Sequence, residues 1–187
     1  MNKVLLFLVD GFEEIEALTI VDVLRRANVQ CDICCVKDYE VTGSHGIAVK
    51  ADINIDEIDE REYNGVILPG GPGTENLKNN IRIVNLVKDF YMSGRLTAAL
   101  CAAPQVLAEA GIVDGKNITS YPAVKERLKN CIYQEEVVVQ DGNIITSRGP
   151  ATSLPFAYAI LDYLGEGEKA EELKEGMMYN FLKQNIQ

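Results

Sequence analysis

Chemistry in this chain points first to Cys101. The segment Thr97-Ala98-Ala99-Leu100 is short and apolar, Cys101 follows it directly, and Ala102-Ala103-Pro104 opens a helix. Proline is favourable at a helix start because its missing N–H had no partner there. Cys101 therefore falls on a sharp strand-to-helix turn, like the nucleophile elbow of α/β hydrolases. Ligands of an open α/β sheet bind beyond the carboxyl ends of its strands. The free N–H groups and dipole of a helix start favour an anion, so the thiol pKa is expected to fall and the thiolate to act as nucleophile. Ala98, Ala99, Ala102 and Ala103 leave room for close approach. The pattern also fits a plain buried cysteine, because free Cys is commonly buried.

Other positions are open to two readings. Gly70-Gly71 closes an apolar run and is followed by Pro72-Gly73-Thr74. A Gly-Gly turn can face a ligand with its N–H groups, with no Cβ in the way, or can simply be a tight turn. It is not a phosphate loop, which would end in Lys-Ser/Thr. Arg148 lies in a turn bounded by Gly149 and Pro150, where it either holds a small anion or, the favoured reading, ties down the loop. Glu13 and Glu14 read as a solvated acidic helix start. His45, the sole histidine, reads as an exposed hairpin residue in Gly43-Ser44-His45-Gly46. Cys31 and Cys35 share one face of a strand and Cys34 the other, so these three, with Cys131, are expected to serve packing. No compact His/Cys/carboxylate motif points to a metal, and no cofactor is indicated.

The elements that must position these residues alternate. Val4–Val9 is a continuous apolar run, as expected of a strand buried on both faces. Ile15–Ala27 reads as a helix, Gln30–Val36 as a strand, Glu40–Lys50 as a hairpin and Val66–Leu68 as a strand. Ile81–Met92 is an amphipathic helix with Ile83, Leu86, Val87 and Phe90 on one face. Thr97–Leu100 is a strand and Pro104–Ala110 a helix. Glu136–Gln140 and Asn143–Ser147 flank Asp141-Gly142, a hairpin signal. Ser153–Leu164 is apolar nearly all round and should be a buried helix. From Glu166 the tail is charged and more solvated. Strands alternating with helices imply one α/β domain over residues 1–187, with a largely parallel sheet and helices on both faces. In the first helix Ile15, Leu18, Val21 and Leu24 make one apolar face, while Ile20, Val23 and Ala27 add a second that is expected to meet another subunit.

The whole-chain charge excludes some classes. With 18 basic and 28 acidic residues, the net charge of −10 repels phosphate backbones and anionic lipid, so general nucleic-acid or membrane binding is not expected. Hydrophobic residues at 47% allow a real core, which excludes disorder as the main state. No run approaches the ~20 apolar residues of a membrane span, and acidic residues stand where a signal peptide would be cleaved. Five cysteines without a regular framework suit reduced thiols in a cytoplasm-like compartment.

Five motifs in order carry a resemblance over nearly the whole chain. They are Asp10-Gly11-Phe12-Glu13-Glu14-Ile15-Glu16, Val21-Asp22-Val23-Leu24-Arg25-Arg26-Ala27, Leu68-Pro69-Gly70-Gly71, Ala99-Leu100-Cys101-Ala102-Ala103-Pro104 and Thr146-Ser147-Arg148-Gly149-Pro150-Ala151-Thr152-Ser153. In these the chain resembles the ThiJ/PfpI family of the class I amidotransferase-like superfamily, in its parkinsonism-associated deglycase branch. The resemblance implies a flavodoxin-like three-layer sandwich, usually dimeric, with Cys101 as nucleophile and Glu16 beside its sulfur. A carboxyl so placed should have a raised pKa and could act as general acid and base. It also implies an oxyanion hole made by the N–H groups of Gly71 and Ala102.

The pattern breaks at the family histidine. Ala102 stands where protease-like members carry it, and Tyr121, in Thr119-Ser120-Tyr121-Pro122, stands where deglycase-like members do. Tyrosine, with a pKa of about 10, is a poor base at neutral pH, so peptidase activity is disfavoured. Tyr121, Gly70 and Arg148 remain as possible substrate contacts. The leading expectation is an enzyme for small reactive carbonyls, methylglyoxal or glyoxal, or for glycated amines. The alternatives are a redox-sensing stress protein, in which Cys101 is oxidised, and a chaperone.

Overall fold

The computed structural model describes residues 2–186. In chain order the strands are β1 (Lys3–Leu8), β2 (Gln30–Cys35), β3 (Glu40–Thr42), β4 (Ala48–Lys50), β5 (Ile53–Asn54), β6 (Gly65–Leu68), β7 (Leu96–Leu100), β8 (Asn117–Ile118), β9 (Ile132–Tyr133), β10 (Val138–Asp141) and β11 (Ile144–Ser147). The helices are α1 (Glu14–Arg26), α2 (Thr74–Lys78), α3 (Ile81–Met92), α4 (Pro104–Glu109), α5 (Ser153–Tyr163), α6 (Gly167–Gly176) and α7 (Tyr179–Asn185). Seven strands form one sheet in the order β10-β11-β7-β6-β1-β2-β5, and only β10 runs antiparallel to its neighbour.

The sheet is covered on both faces. Val4, Leu6 and Leu8 of β1 join Ile20, Leu24, Phe156 and Leu161 in one apolar layer under α1 and α5. Leu5 and Phe7, pointing the other way, join Ile83, Val87, Phe90 and Val106 under α3 and α4. Alternate residues of one strand thus feed two cores, which is why β1 is apolar without interruption. Cys31 and Cys35 belong to the first layer and Cys34 to the second. The result is an α/β three-layer sandwich of the flavodoxin-like kind.

Three expectations are corrected. The second apolar face of α1 is not spare: Ile20, Val23 and Ala27 are buried against their own chain, where α1 packs on α5. Ile15, placed on the first apolar face, is instead 58% exposed. The reason is that α5, apolar nearly all round, covers a side of α1 that the sheet cannot reach. In the hairpin, β10 begins at Val138 and Asp141 pairs with Ile144, so Gly142-Asn143 make the turn rather than Asp141-Gly142. Gly142, at φ 62°, occupies the left-handed position that such a turn requires. The charged tail is also helical, as α6 and α7.

Candidate active site

Cys101 sits where β7 ends, with φ at 62°. A non-glycine residue in the left-handed region costs about 1 kcal/mol or more, so the surroundings must hold it there. They do so through its backbone. Its N–H donates to Ser147 O at 3.0 Å, and its carbonyl accepts the N–H of Tyr121 at 2.8 Å. The residue is only 8% exposed.

The Gly70-Gly71 turn, which closes β6, supports the thiol from one side. Gly70 N–H donates to Glu16 Oε2 at 2.7 Å. The N–H groups of Gly71 and Ala102 lie near enough to the Cys101 sulfur to favour its charged form. The pair of N–H groups implied as an oxyanion hole therefore lies beside the sulfur itself. A side chain at either glycine would displace its neighbours. A Cβ at Gly70 would lie 2.6 Å from Glu16 Oε2 and 2.7 Å from Cys101 Cβ. One at Gly71, whose φ is 100°, would lie 2.5 Å from Gly11 O.

Glu16 is fully buried in the first turn of α1, with Cys101 as its side-chain neighbour. Its Oε1 is buried without a hydrogen bond of normal geometry. Burial pushes the carboxyl up to about 7, with help from the charge of Glu13, against the neighbouring thiol and the hydrogen bond from Gly70. The thiol is also raised, by burial first and then by the charge and hydrogen bond of Glu16; the N–H groups of Ala102 and Gly71 oppose this. The expected fall in thiol pKa is thus overturned. α4 is a short helix, and its start cannot outweigh burial and an adjacent carboxylate. The two groups titrate as a coupled pair that accommodates one negative charge.

The acidic helix start is not solvated. Glu13 and Glu14 are 8% and 5% exposed. Glu13 caps α1 by accepting Glu16 N–H at 2.8 Å. Glu14 accepts the backbone N–H of His45 at 2.7 Å and meets its ring Nδ1 at 2.8 Å. Burial raises the Glu14 carboxyl, but these bonds outweigh it and hold it at about 2. The Glu14 hydrogen bond in turn raises the His45 pKa. Glu13, Glu14 and His45 bring ligand-type atoms within 4.8 Å of one another. Capping and loop attachment account for that cluster. His45 is engaged with Glu14 and Ser44 in the hairpin.

Tyr121 lies against the elbow through its backbone, while its ring is 47% exposed and rests beside Gly149. Arg148 follows β11, whose Ser147 pairs with Leu100. The turn is tied not by the Arg148 side chain but by Thr152 Oγ1, which accepts Arg148 N–H at 3.2 Å and Gly149 N–H at 3.0 Å. Arg148 Nη1 is buried without a partner. A separate cavity of about 450 Å³, lined by Leu8, Asp10, Val36 and Asn79 among others, includes neither Cys101 nor Glu16.

Two residues of the site escaped sequence reasoning. Thr74 Oγ1 donates to Gly71 O at 2.8 Å and accepts Gln105 Nε2 at 3.0 Å. The available signal was Gln105 itself, an uncharged polar residue in the apolar run that follows Cys101.

Comparison with known proteins agrees with this fold. The DJ-1/PfpI family model matches residues 2–163. The dj-1beta protein of Drosophila melanogaster is 37% identical over 181 residues, covering 95% of this chain and 97% of that protein. A deglycase of Pyrococcus horikoshii is 32% identical, covering 80% of this chain and 91% of its own. The crystal structure of Drosophila DJ-1beta superposes with a TM-score of 0.91 at 35% identity, over 95% of this chain and 97% of that one. Oxidized Toxoplasma gondii DJ-1 gives 0.90 at 31% identity, over 95% and 98%. Motif order, elbow geometry, sheet topology and whole-chain similarity converge: the chain belongs to the DJ-1/PfpI family.

Proposed function

We propose that this protein is a cysteine-dependent enzyme for small reactive carbonyls, acting on methylglyoxal or glyoxal, or on the early glycation adducts they form with amines. The observation that carries the reading is the buried Cys101–Glu16 pair, a nucleophile held against a carboxyl that titrates near 7. Deglycases among the relatives support it.

The Cys101 sulfur adds to the aldehyde carbon of methylglyoxal. The carbonyl π bond breaks, and the thiol proton reaches the carbonyl oxygen through Glu16, giving a hemithioacetal. Glu16 as carboxylate then removes the hydrogen on that carbon as a proton. The enediol takes a proton back at the neighbouring carbon and becomes a lactoyl thioester. Water adds to the thioester, the C–S bond breaks, sulfur regains its proton and lactate leaves. The sum is methylglyoxal plus water giving lactic acid, with no external oxidant and no glutathione. A carboxyl titrating near the working pH can both donate and accept a proton, which suits the absence of a histidine. Tyr121, whose N–H is bonded to the Cys101 carbonyl, and Arg148, whose Nη1 is buried without a partner, are the candidate substrate contacts.

The test is lactate formation from methylglyoxal without glutathione, in the unmodified protein and in Cys101→Ser, Glu16→Gln and Tyr121→His. Turnover lost in the first two variants supports the reading. No turnover in the unmodified protein, but a gain in Tyr121→His, overturns it in favour of thiol sensing. That second reading, oxidation of Cys101 to a sulfinate beside Glu16, is favoured by the carboxyl–thiol contact and by an oxidized form of a structural neighbour. Among the described residues no helix is long and apolar enough to cross a membrane. We also propose a homodimer through the outer strip of α1, where Ile15 is exposed and Leu18 half-buried.

A further inference from the structure

The turn that holds both members of the pair is itself held from behind. Gly71 O accepts two donors from Thr74, the backbone N–H at 3.1 Å and the hydroxyl at 2.8 Å. The same hydroxyl oxygen accepts Gln105 Nε2 at 3.0 Å, and Gln105 Oε1 accepts from Arg127. Arg127 also pairs with Glu75, and Glu75 with Lys78 at 2.7 Å. Thr74 and Gln105 are 2% and 3% exposed, so the bonds that join them to each other and to Gly71 are shielded from water, while Arg127 and Glu75 pair at the surface.

The placement is specific. Thr74 opens α2, the helix after the Gly-Gly turn. Gln105 is in the first turn of α4, the helix after Cys101. Arg127 lies on the segment that begins at Tyr121, whose N–H is bonded to the Cys101 carbonyl. The chain of bonds therefore ties together the Gly-Gly turn, the elbow and the Tyr121 segment, while Ser147, which accepts the Cys101 N–H, lies outside it. Its end point is a glycine in the left-handed region, where the local backbone has little preference of its own.

We propose that Thr74 and Gln105 are positioning residues of the Cys101 site: their bridge fixes the Gly71 backbone so that Gly71 N–H stays beside the sulfur. Neither touches a substrate. Their effect passes through the stability of charge on sulfur. The inference rests on Cys101 being the reactive group.

Alkylation of Cys101 by iodoacetamide, followed by mass spectrometry from pH 5 to 10, separates this role from a structural one. In Thr74→Val, which keeps the shape and removes the hydroxyl, the plateau rate should fall about fivefold, the worth of one ordinary hydrogen bond. The midpoint, set by the first ionisation of the pair, should stay in place. Thr74→Ser should restore the rate, and Gln105→Met should give an intermediate loss. A site merely loosened would expose the thiol and react faster, which overturns the proposal. Profiles of Thr74→Val and Gln105→Met that superpose on the unmodified protein also overturn it. If Thr74→Val does not fold, Gln105→Met decides alone. Failure of Cys101 to react in the unmodified protein overturns both this inference and the catalytic reading. A reactive Cys101 with unaltered variants overturns this inference only.

Discussion

Glu16 Oε2 accepts the N–H of Gly70 at 2.7 Å, and this bond fixes the carboxyl beside the Cys101 thiol. It orients the group but does not compensate its burial, and the carboxyl titrates at about 7 instead of 4.5. In the unfolded chain the carboxyl loses its proton first. Between pH 4.5 and 7 the folded state therefore binds more protons, and stability falls as pH rises through that window. The cost is absent below 4.5 and complete above 7. Glu16→Gln removes it. The variant should be more stable than the unmodified protein at pH 8, by up to about 3 kcal/mol, and no more stable at pH 4. Urea unfolding at the two pH values checks this. Equal stability differences at both would show that Glu16 ionises as it does in the unfolded chain.

The two turn glycines should fail in different ways. Gly70 has an ordinary φ, and a Cβ there meets the two side chains of the pair. Gly70→Ala should fold, with a loss of about 1 kcal/mol, but should drive Glu16 from Cys101 and reduce carbonyl turnover at least about a hundredfold. At Gly71 a Cβ meets backbone atoms, and φ is 100°. Gly71→Ala should lose about 3 kcal/mol or more of stability, because neither the conformation nor the neighbours can give way. Thermal unfolding and turnover, measured on both variants, separate the effects. A Gly71→Ala protein as stable as Gly70→Ala would contradict the steric account.

The sheet, its helices and the elbow were legible because each rests on a local signal. Val4–Leu8 is apolar at every position because both faces are covered, and Cys101-Ala102-Ala103 takes a strand into a helix within three residues. The site was legible only in part. The resemblance brought Glu16 to Cys101, but the direction of the thiol pKa depends on burial, which one local pattern does not reveal. The second face of α1 was misassigned because its cover, α5, lies far along the chain. Glu14 looks solvated in the sequence because its partner His45 comes from a hairpin 31 positions away. Thr74 and Gln105 meet across two loops and leave no periodic trace.

Cys101 stores backbone strain that glycine would relieve. Alanine and glycine both remove the thiol, but only alanine keeps a Cβ in the left-handed region. Cys101→Gly should therefore be more stable than Cys101→Ala by about 1 kcal/mol, although glycine is ordinarily the costlier residue. Denaturant midpoints of the two variants test this. Greater stability of the alanine variant would mean that the turn relaxes when the sulfur is gone.

Mild peroxide should distinguish Cys101 from the other four thiols. Oxidation requires a thiolate that peroxide can reach. Burial pushes Cys31 and Cys34 up to about 12 and raises Cys35 as well, and none of the three is more than 1% exposed. Cys131 is partly exposed, yet burial raises its thiol and its Sγ is engaged with Leu128 O at 3.2 Å. Cys101 differs in kind. Its raised pKa comes partly from Glu16, and a proton shift to that carboxylate produces a thiolate already met by two N–H groups. The sulfinate formed by two successive peroxide oxidations would meet the same donors. Mass spectrometry after limited peroxide should therefore find two added oxygens at Cys101 and none at the other cysteines. In Glu16→Gln the charge that raises the thiol pKa is gone, so above pH 7 the same dose should oxidise Cys101 faster. Oxidation of Cys131 before Cys101, or an unchanged rate in Glu16→Gln, would show that exposure rather than the carboxyl–thiol pair controls the reactivity of this protein.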